Sequence, residues 1–126
     1  MTTTTDNGLD YLRDRAIGDA SGPIDTIVLG TGSGSESQTA SSVDSSVYTG
    51  VVTDNNIEFK PTGTTGRLEA IITVKGGTEV PANTDITEMA IRASGDGVLV
   101  SIDNFTAVTV EGGHTEEFTM PVQVQR

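Results

Sequence analysis

Apolar residues recur at two different spacings along the chain, and the change falls near Pro23. Asp6 or Asn7 can cap the start of a helix before that point, and Gly18 can end the helix in a left-handed conformation. The sequence therefore predicts one short helix over residues 7–17. The apolar residues spaced to share one face of this helix are Leu9, Leu12, Ala16 and Ile17.

From Pro23 onward the apolar residues alternate with polar ones, which is the period of a strand with one buried face. The clearest case is "RLEAIITVK" at residues 67–75. Two hairpins are predicted, one around Asp54-Asn55-Asn56 that joins residues 48–53 to 57–60, and one around Gly95-Asp96-Gly97. The last strand candidate contains Pro121, which lacks an N–H donor and therefore favours a sheet edge.

These elements predict an all-β fold, an antiparallel β-sandwich of jelly-roll-like type with one short N-terminal helix. At 126 residues the chain fits a single domain, which we expect over residues 6–126. Residues 1–5 are polar and are expected to form a flexible arm. Residues 31–46 are rich in Ser, Thr, Gly and acids, which predicts a polar surface loop. The core is poor in aromatic residues, so self-association would add useful burial.

The charge balance restricts the partners that the chain can bind. Eighteen acidic residues stand against seven basic ones, for a net charge of -11. Because such a surface repels phosphate groups and shows no basic cluster, we expect no nucleic-acid binding, and the short apolar runs predict no membrane insertion. There is no cysteine. Low lysine with abundant acid is typical of halophilic proteins, in which molar salt screens self-repulsion, although an ordinary acidic protein has the same balance.

The stretch "TIVLGTGSGSES" raises the question of a phosphate-binding loop. Gly30, Gly32 and Gly34 follow an apolar strand candidate, as they would in such a loop. A phosphate loop also needs a helix whose N-terminus faces the anion, and no helical period follows here. Glu36 would repel a phosphate. The sequence therefore favours a turn over a nucleotide site.

His114 is the one histidine and lies in the glycine-bearing turn "EGGHTEE". A general base or a metal ligand is conceivable at this position, but no nucleophile motif accompanies it, so an exposed turn residue is favoured. Glu116 and Glu117 are predicted to be edge charges that discourage strand addition. Structural calcium stays open, without EF-hand spacing, on the side chains of Asp19, Asp25, Asp44, Asp54, Asp85, Asp96 and Asp103. No catalytic, cofactor or metal residue is assigned.

Three segments taken together resemble tail-associated proteins of tailed viruses, namely fibre or baseplate components. The segments are "NGLDYLRDRAIGDASGPIDTIVLGTGS", "TDNNIEFKPT" and "DITEMAIRASGDGVLVS", and the resemblance covers residues 6–105. The matching residues are Gly8, Leu9, Leu12, Ile27, Leu29, Gly30, Thr31, Gly32, Tyr48, Ile86, Glu88, Met89, Ile91, Gly97 and Leu99.

The resemblance implies a non-enzymatic virion structural protein that self-assembles, with a trimer favoured, and that docks to other virion proteins. Family chains are commonly longer, which favours an adaptor role over receptor binding. In this interpretation "GTG" at residues 30–32 turns the chain where side chains cannot fit, and Glu88 is a buried or interfacial polar anchor. An outward-facing strand residue is the alternative for Glu88. Joined to the acidic composition, the resemblance suggests a virus of a halophilic archaeon.

Two other functions stay open at this point. The first places the protein at the head of the same kind of virus, as a vertex turret or decoration protein, where a pentamer would fit the symmetry. The second is a cell-surface or carbohydrate-binding module of a halophile. A host surface glycan would be the ligand of such a module, and it remains a conceivable partner of a tail protein as well.

Overall fold

The computed structural model of the chain describes residues 2–33 and 36–123. This part of the chain is mostly strand, with a single short helix near the start. The elements are β1 (Thr3–Thr4), α1 (Asp6–Ala16), β2 (Thr26–Gly30), β3 (Ser46–Val51), β4 (Ile57–Pro61), β5 (Arg67–Lys75), β6 (Thr84–Ala93), β7 (Val98–Val110) and β8 (Thr115–Gln123). The predicted all-β class with one N-terminal helix is confirmed.

The strands form two antiparallel sheets that pack against each other. One sheet has five strands in the order β1-β7-β6-β2-β3, and the other has three in the order β4-β5-β8. Alternate side chains from both sheets meet in one apolar cluster, which includes Leu29 and Ile91 from the first sheet and Ile72 and Met120 from the second. The sandwich predicted from the alternating pattern is therefore confirmed.

The buried face of α1 differs from the predicted one. Tyr11 is 4% exposed, whereas Leu9 is 37% and Ile17 is 67% exposed. The reason lies at Gly8, where a side chain would collide with the backbone oxygen of Val100 on β7. This close approach sets which side of the helix faces the sheet. The face is therefore chosen by Gly8 and Tyr11, and of the predicted aliphatic stripe Leu12 packs against the core beside them.

The ends of α1 also differ in part from the prediction. The N-cap is Thr5, whose hydroxyl accepts the Gly8 N–H at 2.9 Å, and not Asp6 or Asn7. Gly18 follows the helix with φ 82°, which confirms the predicted left-handed end.

We expected residues 1–5 to form a flexible arm, but the described part of this segment is held against the sheet. Thr3 and Thr4 form β1, which pairs with Ile102 and Ser101 of β7. Thr5 is fully buried, and its hydroxyl donates to the Leu99 carbonyl at 2.6 Å. Backbone pairing explains the difference, because polar threonines can join a sheet edge without needing an apolar side chain to bury.

One predicted hairpin is confirmed and the other is wrong. β6 and β7 pair with Ala93 opposite Val98, around the Gly95-Asp96-Gly97 turn. β3 and β4 do not pair, because the chain between them crosses from one sheet to the other. The Asn56 amide holds this crossing by donating to the Tyr48 hydroxyl at 3.2 Å and to the Thr73 carbonyl at 3.0 Å.

The position of Pro121 agrees with the prediction. β8 lies at one edge of the three-stranded sheet, and Pro121 is opposite Glu69 of β5. The missing N–H therefore weakens only a ladder at the edge of this sheet.

Candidate functional site

Residues 31–33 and 36–45, which we call the strap, lie between β2 and β3 and cover part of the outer face of the five-stranded sheet. The segment was predicted to be a polar surface loop ending at Ser46, but Ser46 begins β3, and the strap carries apolar contacts. Ala40 and Val43 pack on an outer cluster formed by Ala90, Leu99 and Ile102. The five-stranded sheet is thus buried on both faces where the strap lies over it.

Glu88 lies beneath the strap and is fully buried. On β6 it alternates with Met89, which points into the core between the sheets, so Glu88 faces outward. Its carboxylate accepts backbone N–H groups of three residues, which we call the Glu88 cradle: Gly32 at 2.9 Å, Ser45 at 2.9 Å and Asp44 at 3.1 Å. Both interpretations of Glu88 contained part of the answer, because the side chain faces outward and is also a buried polar anchor.

The glycines of "GTG" are required by the carboxylate. A side chain on Gly30 would collide with Oε2 of Glu88 and approach the Ser45 carbonyl oxygen to 2.7 Å. A side chain on Gly32 would collide with Asp44. The prediction that side chains cannot fit at this turn is confirmed.

The phosphate-loop question therefore has a physical answer in the described residues. Backbone N–H groups near Gly32 do converge on an anion, but the anion is the carboxylate of Glu88 from the same chain. Gly34 of the motif lies outside the described residues. Because an N–H donor that is already bonded cannot serve a second anion, the cradle works as an internal anchor.

Glu36 makes a second clamp between the strap and the sheet. Its carboxylate accepts the Asn104 N–H at 2.9 Å and the Thr3 hydroxyl at 2.7 Å, and its own N–H donates to the Asn104 side chain at 2.5 Å. Burial opposes ionisation of Glu36, but favourable interactions, of which the hydrogen bonds from Asn104 and Thr3 are the largest, outweigh it, so the pKa of Glu36 is lowered. The strap is thus held by one carboxylate of its own and by one from β6.

Two further carboxylates fasten the segment between α1 and β2 to the β6–β7 turn. Asp96 accepts the N–H groups of Ser21 at 2.8 Å and Gly22 at 3.2 Å. Asp25 accepts both the N–H and the hydroxyl of Ser94. Burial raises the pKa of Asp25, but these hydrogen bonds and one from the adjacent threonine outweigh it and lower the pKa.

His114 is exposed in the turn before β8, as predicted. Its N–H donates to the Glu111 carbonyl at 3.0 Å, and its carbonyl accepts the Gly76 N–H at 3.0 Å. Glu116 and Glu117 lie on β8, an edge strand, as predicted.

The aspartates considered for calcium do not gather into one site in the described part of the chain. Asp54 accepts the Val51 N–H at 2.9 Å, and Asp85 accepts the Thr109 hydroxyl at 2.5 Å. Asp25 and Asp96 serve the turn contacts given above. Among residues 2–33 and 36–123 no group of three or more His, Asp or Glu side chains is placed to hold a metal ion.

Sequence reasoning missed the strap clamp of Glu36 and Asn104. Glu36 was considered only as a charge that would repel phosphate. Its partner lies 68 residues away along the chain, and no local pattern connects the two. The usable signal was the unusual position of an acid within a Ser- and Gly-rich segment, which has no charge partner nearby in the sequence.

Comparison with protein-family models, curated proteins and solved structures gives no significant match to this chain. The class is therefore given by the fold itself, an antiparallel β-sandwich with an N-terminal helix and a strap across one sheet. Within the described ranges no helix is long and apolar enough to cross a membrane.

Proposed function

We propose that this chain is a non-enzymatic structural subunit of a virus particle, of the tail fibre or baseplate type, that assembles with copies of itself and docks to other virion proteins. The proposal begins from the resemblance of residues 6–105 to tail-associated proteins. The net charge of -11 on the chain adds the expectation that the virus infects a halophilic host.

The Glu88 cradle is the observation that carries this proposal. A carboxylate that acts as acid or base must reach a substrate, whereas Glu88 is fully buried and receives three backbone N–H groups. The residues that it holds, Gly32, Asp44 and Ser45, are parts of the strap. The most buried acid of the described chain therefore holds a surface segment in place, as expected for a protein that functions by binding other subunits through its surface.

The mass of the purified protein in molar KCl tests the proposal. Three copies would support a tail position, and five copies would favour the alternative position at a capsid vertex. A single copy at all concentrations would contradict both. Glycan binding by a monomer that does not copurify with particles would instead favour the cell-surface or carbohydrate-binding module.

Salt dependence tests the halophilic part of the proposal separately. Arg13 pairs with Asp10 and Asp14, and Lys60 pairs with Glu69. Because the acids exceed the bases by eleven, most of the acidic charge must be screened by solvent ions. We expect dissociation or unfolding in dilute buffer, because repulsion between carboxylates extends further at low ionic strength. An unchanged melting temperature between dilute buffer and molar KCl would contradict the halophilic assignment and leave the structural role standing.

A further inference from the structure

The edges of the two sheets differ in how they are protected against pairing with another chain. Both edges of the three-stranded sheet carry charges and a proline. β4 contains Glu58, Lys60 and Pro61. β8 contains Glu116, Glu117 and Pro121. Charged side chains and proline on an edge strand are a common protection against strand addition.

The two ends of the five-stranded sheet carry neither charges nor prolines. β3 has the sequence "SVYTGV", and the end of β7 from Phe105 to Val110 has the sequence "FTAVTV". Neither segment contains a charge or a proline, although one residue in five of the chain is charged. Both are rich in β-branched and aromatic residues, which favour strand pairing.

The free part of each edge is bounded by contacts already described. On β7, β1 pairs only with Ser101 and Ile102, and the Glu36 clamp occupies Asn104. Past Asn104, the described chain pairs with β7 only through β6, whose ladder resumes at Val108 after a bulge at residues 105–107. On β3, Asp54 accepts the Val51 N–H, which leaves residues 46–50 as the open stretch.

We propose that copies of this chain join through these two edges, with β3 of one copy pairing with residues 105–110 of β7 in the next. This inference rests on the proposed self-assembly and names the surface that performs it. Two different edges meet at such a contact, so it is heterologous and can close into a ring of identical copies.

Strand direction favours this pairing. β7, β6, β2 and β3 are joined by three successive antiparallel pairings, so β3 runs opposite to β7. When copies are placed side by side in the same orientation, the new pair is therefore antiparallel, as every other pair in the sheet is. The five-stranded sheet would continue from one copy to the next without a change of pattern.

The two free edges are offset along the strands. Tyr48 of β3 lies level with Asp103 of β7 through the partners Leu29 and Met89. The β6–β7 register shifts between Glu88 and Ile86, so Val108 lies opposite Ile86, only three β6 residues from Met89. Pairing with residues 105–110 thus shifts each copy along the strand direction by about three residues, which is roughly 10 Å at the rise of a strand. A constant stagger of this kind tilts the strands, as closure of a sheet requires.

Charge explains why a second copy fits these edges. Two molecules with a net charge of -11 repel each other least where their surfaces carry no carboxylate, and the segments 46–50 and 105–110 carry none. Asp44 and Asp54 flank the first segment, and Asp103 and Glu111 flank the second. Salt should strengthen the contact by screening these flanking charges.

Matched Thr→Lys substitutions test the contact in the full chain. Thr49→Lys places a charge on the β3 edge, and Thr106→Lys places the same charge on the β7 edge, at exposed positions. Thr119→Lys on β8 is the control, because that edge already carries charges. Native mass in molar KCl should fall to one copy for each of the first two variants and stay at the wild-type value for the control.

Mixing the two edge variants sharpens the test. Thr49→Lys keeps an intact β7 edge and Thr106→Lys keeps an intact β3 edge, so the mixture should form pairs that cannot grow further. A mixture that stays monomeric contradicts the inference. If only one of the two variants dissociates, the contact needs that edge and not the other one, and the head-to-tail arrangement is wrong.

Further outcomes separate this inference from the proposed function. If both edge variants keep the wild-type mass above one copy, self-assembly uses another surface, and the inference fails while the proposed function stands. A monomeric wild type contradicts both. Each variant must match the wild type in circular dichroism and melting temperature. If Thr49→Lys does not fold, Ser46→Lys replaces it on the β3 edge, and if Thr106→Lys does not fold, Ala107→Lys replaces it on the β7 edge.

Discussion

Glu88 on β6 and Glu117 on β8 both point away from the core between the sheets, but they meet opposite environments. Glu88 is fully buried, whereas Glu117 is exposed. The two residues occupy equivalent positions on their strands, since Glu88 is followed by the core residue Met89 and Glu117 by the core residue Phe118. The strap lies over the first glutamate, and no comparable segment of the described chain lies over the second.

This difference shows that burial of an outward-facing residue is decided by what the chain does elsewhere. A carboxylate can be buried only if hydrogen bonds replace its lost water, and the strap supplies backbone N–H groups for that purpose. The strap in turn lacks regular secondary structure, so it depends on Glu88 and Glu36 for its position. The open face of the three-stranded sheet needs no such arrangement and keeps Lys60 and Glu69 in a partly solvent-exposed pair at 4.0 Å.

The largest expected effect comes from removing the buried carboxylate. Glu88→Ala leaves three backbone N–H groups without an acceptor, and we expect a loss of about 3 kcal/mol or more in the free energy of unfolding. Chemical denaturation in molar KCl measures it. Glu117→Ala is the matched control on the open face and should change the free energy by less than about 0.5 kcal/mol. Equal effects at both sites would mean that Glu88 anchors nothing.

Small anions sharpen the same test. In Glu88→Ala the cradle of Gly32, Asp44 and Ser45 would face an empty space that formate can enter. We expect formate to raise the melting temperature of this variant more than an equal concentration of chloride does. The same exchange of anions should leave Glu117→Ala unchanged. A gain of the same size in both variants would indicate a general salt effect.

The next effect concerns the glycine beside the carboxylate. Gly30→Ala would push a methyl group into Oε2 of Glu88 and toward the Ser45 carbonyl, and we expect a cost of about 1–3 kcal/mol. Gly63→Ala is the control, since a side chain there meets no atom within 4 Å. Thermal and chemical denaturation compare the two. If Gly30→Ala costs no more stability than Gly63→Ala, the strap moves aside for the added methyl group at little cost in free energy.

The sandwich itself could be predicted from the sequence because one-sided burial leaves a period of two. The alternation in residues 67–75 is matched in β5, where Ala70, Ile72 and Val74 are fully buried. The β6–β7 hairpin could be predicted equally well, since a Gly-Asp-Gly turn fixes its position locally. These features depend on residues that are close together in the sequence.

The features that were missed depend on contacts between distant residues. The face of α1 is set by Gly8 against Val100, and the crossing from β3 to β4 is set by Asn56, which bonds to both sheets. The polar composition of the strap concealed its covering role, because backbone N–H groups, which every composition supplies, do most of the binding to Glu88. Only the resemblance pointed to Glu88 as an anchor.

A pH-dependent effect is expected from the Glu36 clamp. The pKa of Glu36 is lower in the folded protein than its ordinary value, so its contribution to stability is present above the ordinary value and is lost as the pH falls through the folded one. The loss should begin below about pH 5, near the usual range of glutamate. Glu36→Gln should make the stability less dependent on pH in this range, as followed by denaturation midpoints at constant salt.

Glu117→Gln on the open face is the control for this measurement. It removes a carboxyl group from a position without a clamp, so the change in pH dependence should be smaller than that caused by Glu36→Gln. A reduction as large as that of Glu36→Gln would mean that general charge repulsion, and not the bonds from Asn104 and Thr3, causes the acid sensitivity.

The smallest effect tests the apolar part of the strap. Val43 is half-buried and packs on Ala90, Leu99 and Ile102, whereas Val52 is 52% exposed in the turn after β3. Val43→Thr keeps the shape of the side chain but places a hydroxyl against an apolar surface, and we expect a cost of about 0.5–1 kcal/mol. Val52→Thr should cost less than that by the same denaturation measurement. If the two costs are equal, the hydrogen bonds to the carboxylates alone hold the strap. Its contact with the outer cluster then adds nothing to the free energy of unfolding.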